Sequence, residues 1–288
     1  MKEEKINKLE QLNKRRKRST LFVVLGIASG IIAFILFASG SNIGVVPFIV
    51  GIVLVIIGFG TFSAVSHDFK NKFLKEMVDD IFEDANYYPK KGVDKNTVYR
   101  CNFLKKADRF HSEDLINGKI DGVNFQSSDL RLQERHVRHT KNGTQTYYVT
   151  YFLGRFFEFD FPKDFIGHLL VTEGRLMTSR RGLEKIEMES IDFNKKFNTY
   201  SNNHHHAFYI LTPHLMEAIM ELERRHPGSI LLCFLDNKFS LAINNHQDTF
   251  EIKMFRKIDQ RLFIEMERDL LVVKEIVHEL KLNRNIFK

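Results

Sequence analysis

From Ser19 to Ser66 the chain has no Asp, Glu, Lys, Arg or His, a gap of 48 residues. Cysteine is scarce as well. Cys101 and Cys233 are far apart and neither sits in a CxxC, which with a length of 288 residues excludes a disulfide-stapled mini-protein. GxxxxGK(S/T), GxGxxG and GxSxG are missing, so nucleotide hydrolysis, dinucleotide chemistry and α/β-hydrolase chemistry have no visible footing. His278-Glu279 opens an HExxH-like string, but Leu282 stands where the second His must be, so a zinc protease is not supported.

What is present is 43% hydrophobic and 27% charged residues, a mixture that excludes general disorder. The net charge of +7 and pI of about 9.2 taken alone suggest nucleic acid or an anionic membrane as partner. The distribution decides between them. Residues 1–18 carry +5, with Lys14, Arg15, Arg16, Lys17 and Arg18 consecutive, whereas residues 67–288 carry only +2. Nucleic acid is therefore not an expected partner.

The uncharged block divides into two 19-residue runs, 20–38 and 45–63, around a small polar break. As helices each rises roughly 30 Å, the thickness of a bilayer core, and a helical hairpin satisfies its own backbone polar groups in lipid. A buried core helix and a cleaved signal peptide fit less well. For the signal peptide, the n-region would be long and a second span follows at once. Basic residues flank the pair on both outer sides, with Lys70, Lys72 and Lys75 after the second run, while the connecting turn is uncharged. The positive-inside rule then places both termini in the cytoplasm, as a multi-pass protein of the cell membrane. Lys14 to Arg18, Lys70 and Lys72 are expected at the surface of an anionic inner leaflet, where each contributes about 1 kcal/mol. Spans without an ionisable residue read as an anchor rather than a channel lining. Gly26 and Gly30 form a GxxxG pair that allows close helix packing, within the hairpin or between copies in a homo-oligomer.

After the spans, Phe69, Phe73, Met77, Ile81 and Phe82 recur at helical spacing and predict an amphipathic helix over about 67–85, with a Pro- and Gly-bearing linker to 95. The domains are thus a basic arm (1–18), a transmembrane hairpin (19–66), a juxtamembrane helix and linker (67–95) and a cytoplasmic domain (96–288). Phe157, Phe159 and Phe161 alternate with Glu158 and Asp160, a strand with one wet face closed by Pro162. Val123–His139 and Thr144–Leu153 flank Asn142-Gly143 as a hairpin. Ala207–Leu211 reads as a strand. Thr212 caps a helix with Pro213 at its first position. Ser229–Leu235 and Lys238–Asn244 read as a hairpin around Asp236-Asn237. Phe263, Met266, Leu270, Val273, Val277 and Leu280 mark a long amphipathic C-terminal helix. The fold class is α+β, with an antiparallel or barrel-like sheet behind the hairpin.

Several short motifs occur in a fixed order. Glu113-Asp114 with Gly118 and Gly154-Arg155-Phe156-Phe157 come first. Phe193-Asn194-Lys195-Lys196-Phe197, Ala207-Phe208-Tyr209-Ile210-Leu211-Thr212-Pro213, Leu241-Ala242-Ile243 and Phe250-Glu251 follow. With two preceding spans, this arrangement resembles the bacterial two-pass membrane family of the domain of unknown function 3137, from about residue 20 to 285. The resemblance implies a bacterial membrane protein with a cytoplasmic domain and carries no activity with it.

The metal candidates are His204, His205 and His206. Neighbouring side chains of an extended segment point to opposite faces, and the resembling family tends to hold other polar residues there, so a solvated loop is favoured. His136 and His139 form HxxH, which a strand also splits between its faces. Glu113-Asp114 suits acid–base work but reads better as a turn. Arg131, Arg135, Arg138 and Lys141 form a basic hairpin interleaved with Asp129 and Glu134, a solvated face. No catalytic residue and no cofactor is assigned. The reading is a non-enzymatic, membrane-anchored cytoplasmic binding or scaffolding module with an unknown protein partner. The alternative is a membrane-tethered enzyme with a diffuse, metal-dependent site.

Overall fold

The structure is a computed structural model and describes residues 2–82, 84–141, 143–174, 178 and 182–282. The chain divides into two compact units, Met1–Met77 with Phe250–Glu267 and Val78–Thr249 with Arg268–Lys288.

The first unit is built on α1 (Lys2–Ala38) and α2 (Val45–Asp68), joined by a 3-10 turn at Asn42–Gly44. Ser41 Oγ caps that turn by accepting from the Ile43 amide at 3.3 Å. The helices approach closely where side chains vanish. A Cβ on Gly26 would stand 2.7 Å from Val55 and 2.8 Å from the Gly51 carbonyl oxygen, whereas one on Gly30 would meet nothing within 4 Å. Large apolar side chains point outward along both helices, with Phe34 74%, Val46 64% and Ile56 65% exposed. Both helices are long and apolar enough to cross a membrane. α2 runs through a π-helical turn (Phe69–Leu74) into α3 (Lys75–Ile81). The Phe69 and Phe73 rings stack, and each meets Phe263 edge to face, with centroids 5.8–6.0 Å apart.

The helix expected over 67–85 ends at Ile81, and β1 (Asp84–Tyr88) follows at the sheet edge. Backbone pairing decides this, because Asp84–Tyr88 is in register with Leu115–Lys119 of β2 (Arg109–Ile120). The second unit continues through α4 (Lys95–Arg100), β3 (Val123–Thr140), β4 (Gly143–Glu173), β5 (Glu184–Ile186), α5 (Ile191–Lys196), β6 (Phe197–Ser201), α6 (His204–Ile210), α7 (Pro213–Arg225) and β7 (Ser229–Asn244). The order is β1-β2-β3-β4-β6-β5, with β7 paired to β4. The described pairs are antiparallel, as expected. The sheet is open rather than barrel-like, since it ends at β1 and β5. The hairpin between β3 and β4 closes with Thr140 opposite Gly143; Asn142 of the expected turn lies outside the described residues.

Three further expectations are corrected. Ser229–Asn244 is one strand, not a hairpin. Asp236 is left-handed, at φ 55°, and the extra residues of the irregularity opposite it belong to β4, whose Asp160 and His168 pair with Lys238 and Leu235. Pairing of β4 with β7 is kept on both sides of this irregularity. Ala207–Leu211 is not a strand, because Asn203 Oδ1 accepts from the His206 amide at 3.1 Å and starts α6. Glu158 does not face water. It is buried and binds Arg100 at 2.6 Å, so helix α4 and the core around Phe103, Phe152 and Phe156 cover that face of β4.

The Thr212 cap is present, its Oγ1 accepting from the Leu215 amide at 3.3 Å. Leu215, Met216, Ile219 and Leu222 are buried along α7. The C-terminal helix is α8 (Gln260–Glu279), and Leu270, Val273 and Val277 on it are buried.

Candidate cleft over a buried arginine

The most unusual strand residue in the second unit is Arg155. It sits in β4 between Gly154 and Phe156 and is only 4% exposed. Gly154 is required by the backbone, since a Cβ there would lie 2.0 Å from the Ile243 carbonyl oxygen of β7. The register sets Arg155 between Asp129 of β3 and Ile243 of β7. Cross-strand neighbours point to the same face, so an arginine and an aspartate are buried side by side.

Arg155 Nη1 donates to the Asp269 carbonyl of α8 at 3.1 Å, and Nη2 to Ser127 Oγ at 3.3 Å. Its Nε lies 3.7 Å from Asp129 Oδ1. Asp129 Oδ2 accepts the Thr249 amide at 2.8 Å, while Oδ1 accepts no hydrogen bond among the described residues. Burial pushes the Asp129 carboxyl up to about 7 against the opposing pull of Arg155, with Asp114 and Asp248 raising it further. Burial also lowers Arg155, and the acids around it counter that shift. Asp114 stands at a bulge of β2 with φ 56° and accepts the Tyr87 hydroxyl. Burial, then Asp114, raises that phenol.

Arg155 and Phe157 floor a cleft of about 390 Å³, whose walls include Arg225 and His226 beyond α7, Asn245, Gln247 and Thr249 beyond β7, and Arg268, Val272 and Glu275 of α8. Arg225 is committed to Glu221 and Glu279, each at 2.7 Å. His226 meets Glu275 at 3.1 Å, and burial lowers its basicity against the pull of that carboxylate. Arg268 is exposed, and no ion pair to it occurs among the described residues. The volume is that of a small-molecule site, and the lining mixes apolar surface with a few polar groups.

The residues singled out from sequence fall elsewhere. His204, His205 and His206 form the first turn of α6, where successive side chains diverge around the axis; His204 Nε2 pairs with Glu184 at 3.1 Å. Glu113 lies 3.3 Å from His111, while Asp114 turns inward to Tyr87, so the two carboxylates do not act on one point. His136 stacks on Tyr147 and His139 Nδ1 meets Thr144 Oγ1 at 3.0 Å. Arg131 binds Asp248 at 2.7 Å; Arg135, Arg138 and Lys141 are exposed along the hairpin. In the first unit Lys14, Lys17, Arg18 and Lys72 are exposed. Arg15 pairs with Asp68. Arg16 is buried and donates to the Met254 carbonyl at 2.6 Å, and Lys70 is buried against Glu251. Sequence reading missed Arg155, Asp129 and Arg268 as a group. The one available signal was an arginine inside the Phe152–Phe159 run.

No curated protein matches the chain. Among solved structures, the crystal structure of the mycobacterial trehalose monomycolate transport factor A, TtfA, aligns over 74% of this chain and 96% of its own, at 8% identity and a TM-score of 0.39. Residues 150–282, from the first third of β4 through α8, match the model of the family described as protein of unknown function (DUF3137), the family whose motif order the sequence resembles.

Proposed function

We propose that this protein is a membrane-anchored binding module, non-enzymatic, with both termini and the sheet-bearing unit in the cytoplasm. The observation that carries the reading is the outward apolar surface of α1 and α2, across a stretch with no ionisable residue. Phe34, Ile35, Val46 and Ile56 are each at least 60% exposed, and water is a poor solvent for so large a contiguous patch. A bilayer removes that surface from water. The basic flanks support the orientation, and the cleft over Arg155 supports ligand binding by the second unit.

The test has two readouts. After alkaline carbonate washing the chain should stay in the membrane pellet, and release into the supernatant overturns the anchor. A reporter that is active only outside the membrane, fused after Lys288, should be silent; activity there overturns the orientation.

A further inference from the structure

We propose that the cleft over Arg155 binds an organic oxyanion, a carboxylate or phosphate monoester on a small apolar body, with Arg268 and Arg155 holding the oxygens. The proposal deepens the binding-module reading and rests on it. Three arginines line the cleft against two acids, Asp269 and Glu275. Arg225 is held by two glutamates, so Arg268 is the exposed arginine of the lining and Arg155 the buried one. A guanidinium presents a planar fork of N–H donors that matches a carboxylate or phosphate edge. Asn245, Gln247 and Thr249 add neutral hydrogen-bonding groups on one wall. Phe157, Pro227, Ile243 and Val272 supply apolar surface for the body of the ligand.

Binding is coupled to a proton. The groups facing Asp129 are Arg155 on β4, Asp114 on β2 and Tyr87 on β1, with Asp248 and the Thr249 amide beyond β7; Asp269 on α8 faces Arg155. A second anion drawn to Arg155 competes with the Asp129 carboxylate for the same cation. Asp129 then takes up a proton, which its burial already favours. Affinity for an anion of fixed charge should accordingly fall as pH rises through 7.

The experiment uses the full chain in mild-detergent micelles, with benzoate, phenyl phosphate and inorganic phosphate as probes in titration calorimetry. Benzoate stays ionised from pH 6 to 8.5 and serves for the pH series. The expected result is saturable one-to-one binding of benzoate and phenyl phosphate, with inorganic phosphate weaker because it lacks the apolar body. Arg268→Ala should weaken binding about ten-fold or more. Asp129→Asn should flatten the pH dependence. Should that variant not fold, wild-type titrations in two buffers of different ionisation enthalpy read the proton uptake directly. No saturable binding to the folded chain, or binding unchanged in Arg268→Ala, overturns the site. Absence of proton uptake near pH 7 overturns the role of Asp129. Micelle titrations are independent of carbonate extraction, so a chain that stays in the membrane yet binds no probe refutes the cleft alone.

Discussion

Replacing Arg155 by Met keeps the length of the side chain and removes its charge. The structure specifies both the size and the pH dependence of the damage. Arg155 loses its bonds to the Asp269 carbonyl and Ser127 Oγ and its ion pair with Asp129. Removing one partner of a buried pair costs about 3–5 kcal/mol when the other charge must stay ionised. Asp129 has an alternative, which is to bind a proton. Its folded carboxyl is pushed up to about 7, against roughly 3.9 in an unfolded chain. Because the folded form holds the proton more tightly, this group's contribution to stability is greatest below pH 4 and is lost as pH rises toward 7. Without Arg155 the folded value climbs further, and the loss continues above pH 7 at about 1.4 kcal/mol per pH unit. The difference in stability between wild type and Arg155→Met should therefore be roughly 2 kcal/mol larger at pH 8.5 than near neutrality or below. The chain has no tryptophan, so urea unfolding of the full protein in mild detergent is best followed by far-ultraviolet circular dichroism. Adding Asp129→Asn to the variant should abolish the alkaline excess. An equal loss at pH 5.5 and 8.5, or a larger one at pH 5.5, refutes the assignment of Asp129 as the partner that Arg155 neutralises.

Gly154→Ala places a Cβ 2.0 Å from the Ile243 carbonyl oxygen and should cost about 1–3 kcal/mol, read as a lower midpoint in the same unfolding assay. Thr212→Ala removes the cap of α7 and should cost about 1 kcal/mol, whereas Thr212→Ser should restore it. Leu270→Ala opens a cavity at a fully buried site of α8 and should cost about 2–5 kcal/mol. Arg268→Ala should leave stability within about 0.5 kcal/mol, since that side chain is exposed and without an ion pair among the described residues.

Elements with strong local signals were legible in the sequence. The β3–β4 hairpin, the Thr212-Pro213 helix start and the apolar stripe of α8 stand where periodicity and capping chemistry put them. Errors arose where tertiary pairing outweighed local preference. Ala207–Leu211 is rich in aromatic and branched residues and reads as a strand, yet Asn203 supplies a helix cap just upstream. Asp236-Asn237 has the composition of a turn, but β7 runs on through a left-handed Asp236 because β4 stays paired with it on both sides. Asp84–Tyr88 falls where the helical pattern ending at Phe82 gives way to an expected linker, and only β2, distant in sequence, makes it an edge strand. The cleft was not legible for the same reason. Arg155, Asp129 and Arg268 come from β4, β3 and α8, and nothing in their spacing announces that strand register and helix placement bring them to one place.

The Gly154-Arg155 step shows how a short motif can hold backbone and charge requirements at once. Gly154 lets β7 approach at Ile243, and the next residue must then face Asp129 because the register is fixed on both sides. Apolar residues in place of both Arg155 and Asp129 would spare the protein the desolvation of two charges, and such replacements of whole buried pairs are often neutral or stabilising. The ion pair is thus weak as a stability device. Its distinguishing consequence is a cation beneath an open cleft, beside a carboxyl that burial pushes up to about 7. The chain's +7 also takes on a different meaning in this light. Most of that excess lies in the first eighteen residues, where the proposed reading uses it to orient the hairpin. The charge relevant to binding comes from position rather than number, because residues 67–288 carry only +2 while Arg155 and Arg268 are brought to the same opening.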